Sequence, residues 1–240
     1  LVSSLAPDLS EARRERKSQE ALAQAREALV GYALQYREQQ RATGTPDAMY
    51  GYLPMPDVGT TRFSALQPAA CNTEGCAMFA MNGGFPSDTE TIIGRLPWRT
   101  LGLAPIRDGS GECLWYIVSA NHKSLGISSI IRMNWDTLGH LDIVVANSSA
   151  ALVSALANAH ERPVVVIFSP GPPLPGQNRS PPPSPPPAGD DVTECGGNYN
   201  VANYLDPANV AALGGVTNYF PDPDPLKRNA SGVTGDTNLS

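Results

Sequence analysis

Four cysteines, three histidines and a short carboxylate-bearing turn hold most of the chemistry that this chain's residue types could perform. Cys71 and Cys76 enclose Asn-Thr-Glu-Gly, the spacing of a local disulfide loop. Cys113 opens an apparent strand and Cys195 sits in a Gly-rich loop. Cys71–Cys76 with Cys113–Cys195 is the favoured pairing among the three that four cysteines allow. A zinc site built from all four thiolates is the alternative; such sites usually show two close pairs, and only one is present here. Disulfides would place the chain in an oxidising compartment.

Asp108-Gly-Ser-Gly-Glu112 sets two carboxylates about a tight turn, so Asp108 and Glu112 are calcium candidates, weighed against a plain β-turn that needs no ion. Pro-Asp222-Pro-Asp224-Pro is similarly rich in oxygen. Neither follows the alternating ligand pattern of an EF-hand. His122, His140 and His160 are isolated, and no HExxH, GxSxG, GxGxxG or phosphate-binding loop occurs. A hydrolase would need one of these histidines to meet a serine and a carboxylate in space. The expectation is a non-enzymatic protein with no cofactor beyond the calcium candidate. Asn147, Asn178, Asn229 and Asn238 each begin an Asn-X-Ser glycosylation pattern.

Net charge of -6 gives no support to binding nucleic acid through overall charge. Arg13, Arg14, Arg16 and Lys17 are interleaved with Glu11, Glu15 and Glu20, which reads as a solvated helix face with i,i+4 pairs. No stretch reaches the ~20 apolar residues that cross a bilayer.

The elements that must position these residues divide at residue 43. A long helix is expected from about Asp8 to Arg41: Pro7-Asp8 starts it and Gly44 follows it. Leu22, Ala25, Leu29, Tyr32 and Tyr36 form one apolar face that would seat a globular head on the helix, with Leu22, Leu29, Tyr32 and Tyr36 as the main contacts. Ahead of Leu22 the chain is charged, so the front of the helix should project as a stalk. Residues 44–240 form the head. Within it, 44–112 reads as a long loop region and 113–169 as the sheet core, with strands at Cys113–Val118, Ile127–Met133, Leu141–Val145 and Pro163–Phe168. Ser149–His160, rich in Ala and Leu, reads as a short helix. A Pro-rich insertion spans 170–191, and 192–240 reads as irregular coil pinned by Tyr199, Tyr204, Tyr219 and Phe220. The fold expected is α+β, one long N-terminal helix against an antiparallel sheet with long disulfide-stapled loops.

Two stretches carry a family resemblance. One is Ser18-Gln-Glu-Ala-Leu-Ala-Gln-Ala-Arg-Glu-Ala-Leu-Val-Gly-Tyr-Ala33 followed by Gly51-Tyr-Leu-Pro-Met-Pro-Asp57. The other is Gly94-Arg-Leu-Pro-Trp-Arg-Thr-Leu-Gly-Leu103 followed by Asp108-Gly-Ser-Gly-Glu-Cys-Leu-Trp-Tyr116. Val166-Ile-Phe-Ser-Pro-Gly171, Pro175-Gly-Gln-Asn-Arg179 and Asn200-Val-Ala-Asn-Tyr-Leu205 fit the same group. Together they resemble bacterial type IV pilin-like proteins, the prepilin-type pseudopilins and minor pilins with a large C-terminal domain. The resemblance implies a pilin-like fold and a structural, minor subunit of a type IV pilus or a type II secretion pseudopilus. It implies assembly with other pilin or pseudopilin subunits through the N-terminal helix, with Arg13, Arg14 and Arg16 at the contacts. It also implies residence in the cell envelope, anchored in the inner membrane before assembly and then in a periplasmic or extracellular filament. The family's leader-cleavage motif and apolar half-helix are not in this sequence, so Leu1–Pro7 is expected to be the end of a membrane-embedded helix lying upstream. A surface adhesin or DNA-binding minor pilin, using the Pro-rich loop or the aromatic C-terminal segment, is the alternative reading.

Overall fold

The structure, a computed structural model, describes residues 5–42, 50–59, 73–78, 90–119, 122–124, 137–146, 152–154, 156–182, 192–207, 219–221 and 237–239. The helix α1 runs Leu5–Ala42. Pro7 falls in its first turn, where a missing N–H breaks no helical hydrogen bond. Ala21, Ala25 and Leu29 recur every four residues, and with Tyr36 they form its buried face, flanked by Leu22 and Ala33. Residues 9–20 carry no buried side chain.

Two sheets follow. The larger has the order β5-β2-β1-β6, all antiparallel, from β1 (Glu90–Arg95), β2 (Trp115–Val118), β5 (Val165–Phe168) and β6 (Tyr219–Pro221). The smaller joins β3 (Leu141–Ala146) antiparallel to β4 (Leu152–Ser154) and parallel to β7 (Thr237–Leu239). The architecture is α+β, one long N-terminal helix with small sheets.

Side chains alternate across the larger sheet, as the pleat requires. Ile92, Tyr116, Val118, Val165 and Ile167 point to the α1 side and pack with Ala25, Leu29, Leu53 and Met55. Ile93, Trp115, Ile117, Val166 and Phe168 point the other way, onto Leu141, Val201, Tyr204 and Leu205. The sheet is therefore covered on both faces, by the helix on one and by the 192–205 segment on the other. At this depth β2 has all four residues buried. The Tyr116 hydroxyl, buried with its ring, donates to Pro54 O at 3.1 Å.

Several expected elements are corrected. Residues 44–112 contain β1, so they are not all loop. Cys113 precedes its strand and makes a single bridge with Arg107. Within the span expected to be a helix, Leu152–Ser154 instead pairs with β3, and Ala159–Glu161 is one 3-10 turn capped by the Asn158 side chain. The 192–240 segment holds a 3-10 turn at Val201–Asn203, β6 and β7, so it is not all irregular coil. The expected strand at Ile127–Met133 lies outside the described residues, as do residues 183–191 of the Pro-rich insertion.

Candidate functional site

Three buried ionisable groups sit where the head's loops converge. Arg95, at the end of β1, is 3% exposed, Asp57 3% and Glu74 2%. Arg95 Nη1 donates to Glu74 Oε1 at 3.0 Å, and Nη2 donates to the carbonyls of Gly196 and Asn198. Its guanidinium stacks over the Tyr199 ring, 4.6 Å from the centroid. Glu74 accepts from the backbone N–H groups of Glu194 and Cys195 at 2.6 and 2.9 Å. Asp57 accepts from Gly59 N–H, Gly75 N–H and the Tyr199 hydroxyl at 3.0, 2.7 and 2.9 Å. Buried charges persist only when paired and hydrogen-bonded in this way. Gly75 holds φ +83° with Trp98 packed on it, so a Cβ there would lie 2.2 Å from the indole.

The product of this network is a fixed 192–205 segment. The Cys113–Cys195 disulfide ties it to the chain two residues before β2. Arg107 donates to Gly111 O at 2.6 Å and also to the Glu194 and Cys195 carbonyls. Arg179 donates to Asn203 O at 2.6 Å and Gly171 O at 2.7 Å, meets Glu112 at 3.3 Å, and lies over the Tyr204 ring. Cys76 is disulfide-bonded as well; Cys71, its expected partner, lies outside the described residues.

Burial pushes the Asp57 carboxyl up to about 6, against the lowering pull of Gly75, Gly59, Tyr199 and Arg95. Burial, followed by the Asp57 charge, raises Tyr199. The folded chain thus holds the Asp57 proton more tightly than the unfolded chain does. Between about pH 4 and pH 6 the native state binds more protons, so this group's contribution to stability falls as pH rises through that window. The full drop is worth about 3 kcal/mol. Urea titrations at pH 4.5 and pH 7 should show the wild type losing stability relative to Asp57→Asn as pH rises. An unchanged difference between the two proteins would contradict the assignment.

The Asp108 turn, a calcium candidate on sequence, is occupied by protein donors. Asp108 is fully buried. Oδ1 accepts from Ser110 N–H and Glu112 N–H, and Oδ2 from Ser169 Oγ–H at 2.7 Å and Gly171 N–H at 3.0 Å. The Glu112 carboxylate pairs with Arg179 at 3.3 Å. Among the described residues no group of three or more His, Cys, Asp or Glu is placed to hold a metal ion.

The same turn docks on α1. Gly109 N–H donates to Ser18 Oγ at 2.9 Å, and Ser18 Oγ–H donates back to Arg14 O at 3.1 Å. The stalk is therefore held as far forward as Arg14, further than the charged sequence implied. A Cβ on Gly109 would lie 2.0 Å from Arg14 O. Gly109→Ala should accordingly cost about 1–3 kcal/mol by overpacking, read as a lowered urea midpoint. An unchanged midpoint would mean that the turn is not clamped on the helix.

Beyond this clamp α1 is open. The Arg13, Arg14 and Arg16 side chains are exposed, and Arg16 pairs with Glu20 at 2.9 Å on the surface. Further along, Leu29 and Tyr36 are buried, Leu22 is packed against the core, and the Tyr32 ring lies tilted by 44° to that of Tyr36 with centroids 5.9 Å apart. Beside them Val30 and Leu34 stand 50% and 65% exposed. They form the lip of an apolar groove of about 300 Å³ between α1 and β5, lined also by Arg26, Leu53, Val165 and Ile167.

His122 and His140 are buried and both bond to Ser119 through their backbone N–H groups, while His160 is exposed. His140 N–H donates to Ser119 Oγ, His122 N–H to Ser119 O, and His160 N–H to Asn158 Oδ1. In the Asn178-Arg-Ser pattern the Asn178 carboxamide oxygen accepts Ser180 N–H, which folds that segment into a local turn.

Sequence reasoning missed Asp57, Glu74, Arg95, Arg107 and Arg179 as the residues that organise the head. Comparison with known protein families, curated proteins and solved structures finds no match.

Proposed function

We propose that this chain is a non-enzymatic, minor structural subunit of a type IV pilus or type II secretion pseudopilus, assembling through its N-terminal helix with other subunits of the same kind. The observation that carries this reading is the division of α1. Its second half seats a loop-rich, disulfide-stapled head, while residues 9–20 present charged side chains with none buried. A helix of 38 residues spans about 57 Å at 1.5 Å per residue. Stability of such a helix comes mainly from packing of its apolar face, and residues 9–20 bury no side chain among the described residues. Neighbouring subunits would supply it along the filament. In this reading Arg13, Arg14 and Arg16 lie at subunit contacts, the pilin-like head faces outward, and the protein resides in the cell envelope. The disulfides suit that oxidising location.

Shearing the surface of cells that make the protein, followed by immunogold labelling with an antibody to the head, tests this. Label along or at the tips of filaments is expected, or in periplasmic filaments if the assembly is a secretion pseudopilus. Recovery only as a soluble, unassembled protein would contradict it.

A further inference from the structure

The α1–β5 groove opens beside the outer strand of the larger sheet. β5 is an edge of the larger sheet: β2 pairs along one side of Val165–Phe168, and among the described residues nothing pairs along the other. Its exposure agrees, since all four β5 residues are half-buried whereas all four of β2 are buried. An open edge offers a row of unpaired N–H and C=O groups. Here that row runs alongside the apolar groove, with Val165 and Ile167 as its floor and Val30 and Leu34 as its far lip. A volume of about 300 Å³ is at the small end for a ligand pocket and suits two or three aliphatic side chains rather than a bulky ring system. Arg26 lines the same groove and makes no ion pair or hydrogen bond among the described residues.

We propose that this edge and groove bind an extended peptide segment of a partner protein by strand addition to β5, with alternate Val- or Ile-sized side chains entering the groove and a carboxylate meeting Arg26. Main-chain hydrogen bonds to β5 would supply the pairing, while the groove and the arginine would supply selectivity, the division of labour in strand-addition recognition. Arg26, exposed at the rim of the groove, favours a carboxylate-bearing segment over a cationic one. Pro163 and Pro170 flank the strand and confine pairing to the residues between them. The site is independent of the filament reading, because it uses none of residues 9–20.

The test uses a fluorescein-labelled peptide, Thr-Val-Thr-Val-Thr-Asp, titrated into the whole chain and read by anisotropy. Two further probes are the same peptide with backbone N-methyl groups along one edge, and decanoate. Saturable binding of the first peptide below about 1 mM is expected. Arg26→Gln and Leu34→Lys, both at exposed positions, should each weaken it about tenfold with unchanged circular dichroism. Hydrogen exchange at Val165–Phe168 should slow when peptide is bound, and the N-methylated peptide should fail to bind. No binding up to about 1 mM overturns the proposal. So does binding that is indifferent to Arg26→Gln and leaves β5 exchange unchanged. Competition by decanoate with no protection of β5 would make the groove an amphiphile site and would equally overturn strand addition.

Discussion

Replacing Arg95 with methionine is expected to cost about 3–5 kcal/mol of folding free energy, a large part of the whole stability of an ordinary domain. Methionine fills much of the same volume but removes the charge that Glu74 and Asp57 were buried against. Glu74 would keep its two backbone donors from the 192–205 segment yet lose its cation. The Gly196 and Asn198 carbonyls would lose their donor, and Tyr199 the cation above its ring. Removing one member of a buried pair costs far more than the pair contributes, because the other charge stays buried without compensation. Urea denaturation measures this directly. Arg95→Met combined with Glu74→Gln should recover part of the loss, which separates the stranded charge from lost packing. A single-variant loss below about 1 kcal/mol would show the network to be incidental.

Converting Cys113 and Cys195 together to alanine should cost about 4 kcal/mol, since the bond closes a separation of 82 residues. In the chain-entropy account most of that acts on the unfolded state, whose freedom the crosslink restricts. The folded position of the 192–205 segment should survive, because Glu74, Arg95, Arg107 and Arg179 hold it independently of the sulfurs. The double variant should therefore unfold at lower urea while its native near-UV spectrum is kept. Loss of the native spectrum without denaturant would mean that the disulfide alone positions the segment.

How far the sequence revealed this arrangement depended on whether the determining contacts were local. The helix was legible from the period of Ala25, Leu29 and Tyr36, and β5 from five consecutive β-branched and aromatic residues after Pro163. β1 was not: Thr91, Ile92 and Ile93 form a short run among turn residues, and pairing with β2 and β6 makes it a strand. Leu152–Ser154 misled in the opposite direction. Its Ala- and Leu-rich surroundings favour helix, but pairing with β3 prevails, as context commonly does for short segments. The buried ionic centre was the least legible. Asp57, Glu74 and Arg95 are separated by loops, and each alone reads as a solvated surface charge. Their burial follows from the 192–205 segment folding back across about a hundred residues. The Asp108 turn was found by its composition, but its ligands are amides and a serine hydroxyl from the chain itself.

The front of α1 is proposed to pack against other subunits. A photoactivatable cross-linking residue placed singly at Arg13, Arg14 and Arg16, in cells making the full protein, tests it at the contacts themselves. Cross-linked multimers are expected from these sites, absent when the same residue replaces Leu174, which is exposed on the head. Monomer alone from all three helix positions, in cells where the protein is folded and surface filaments are present, would contradict it.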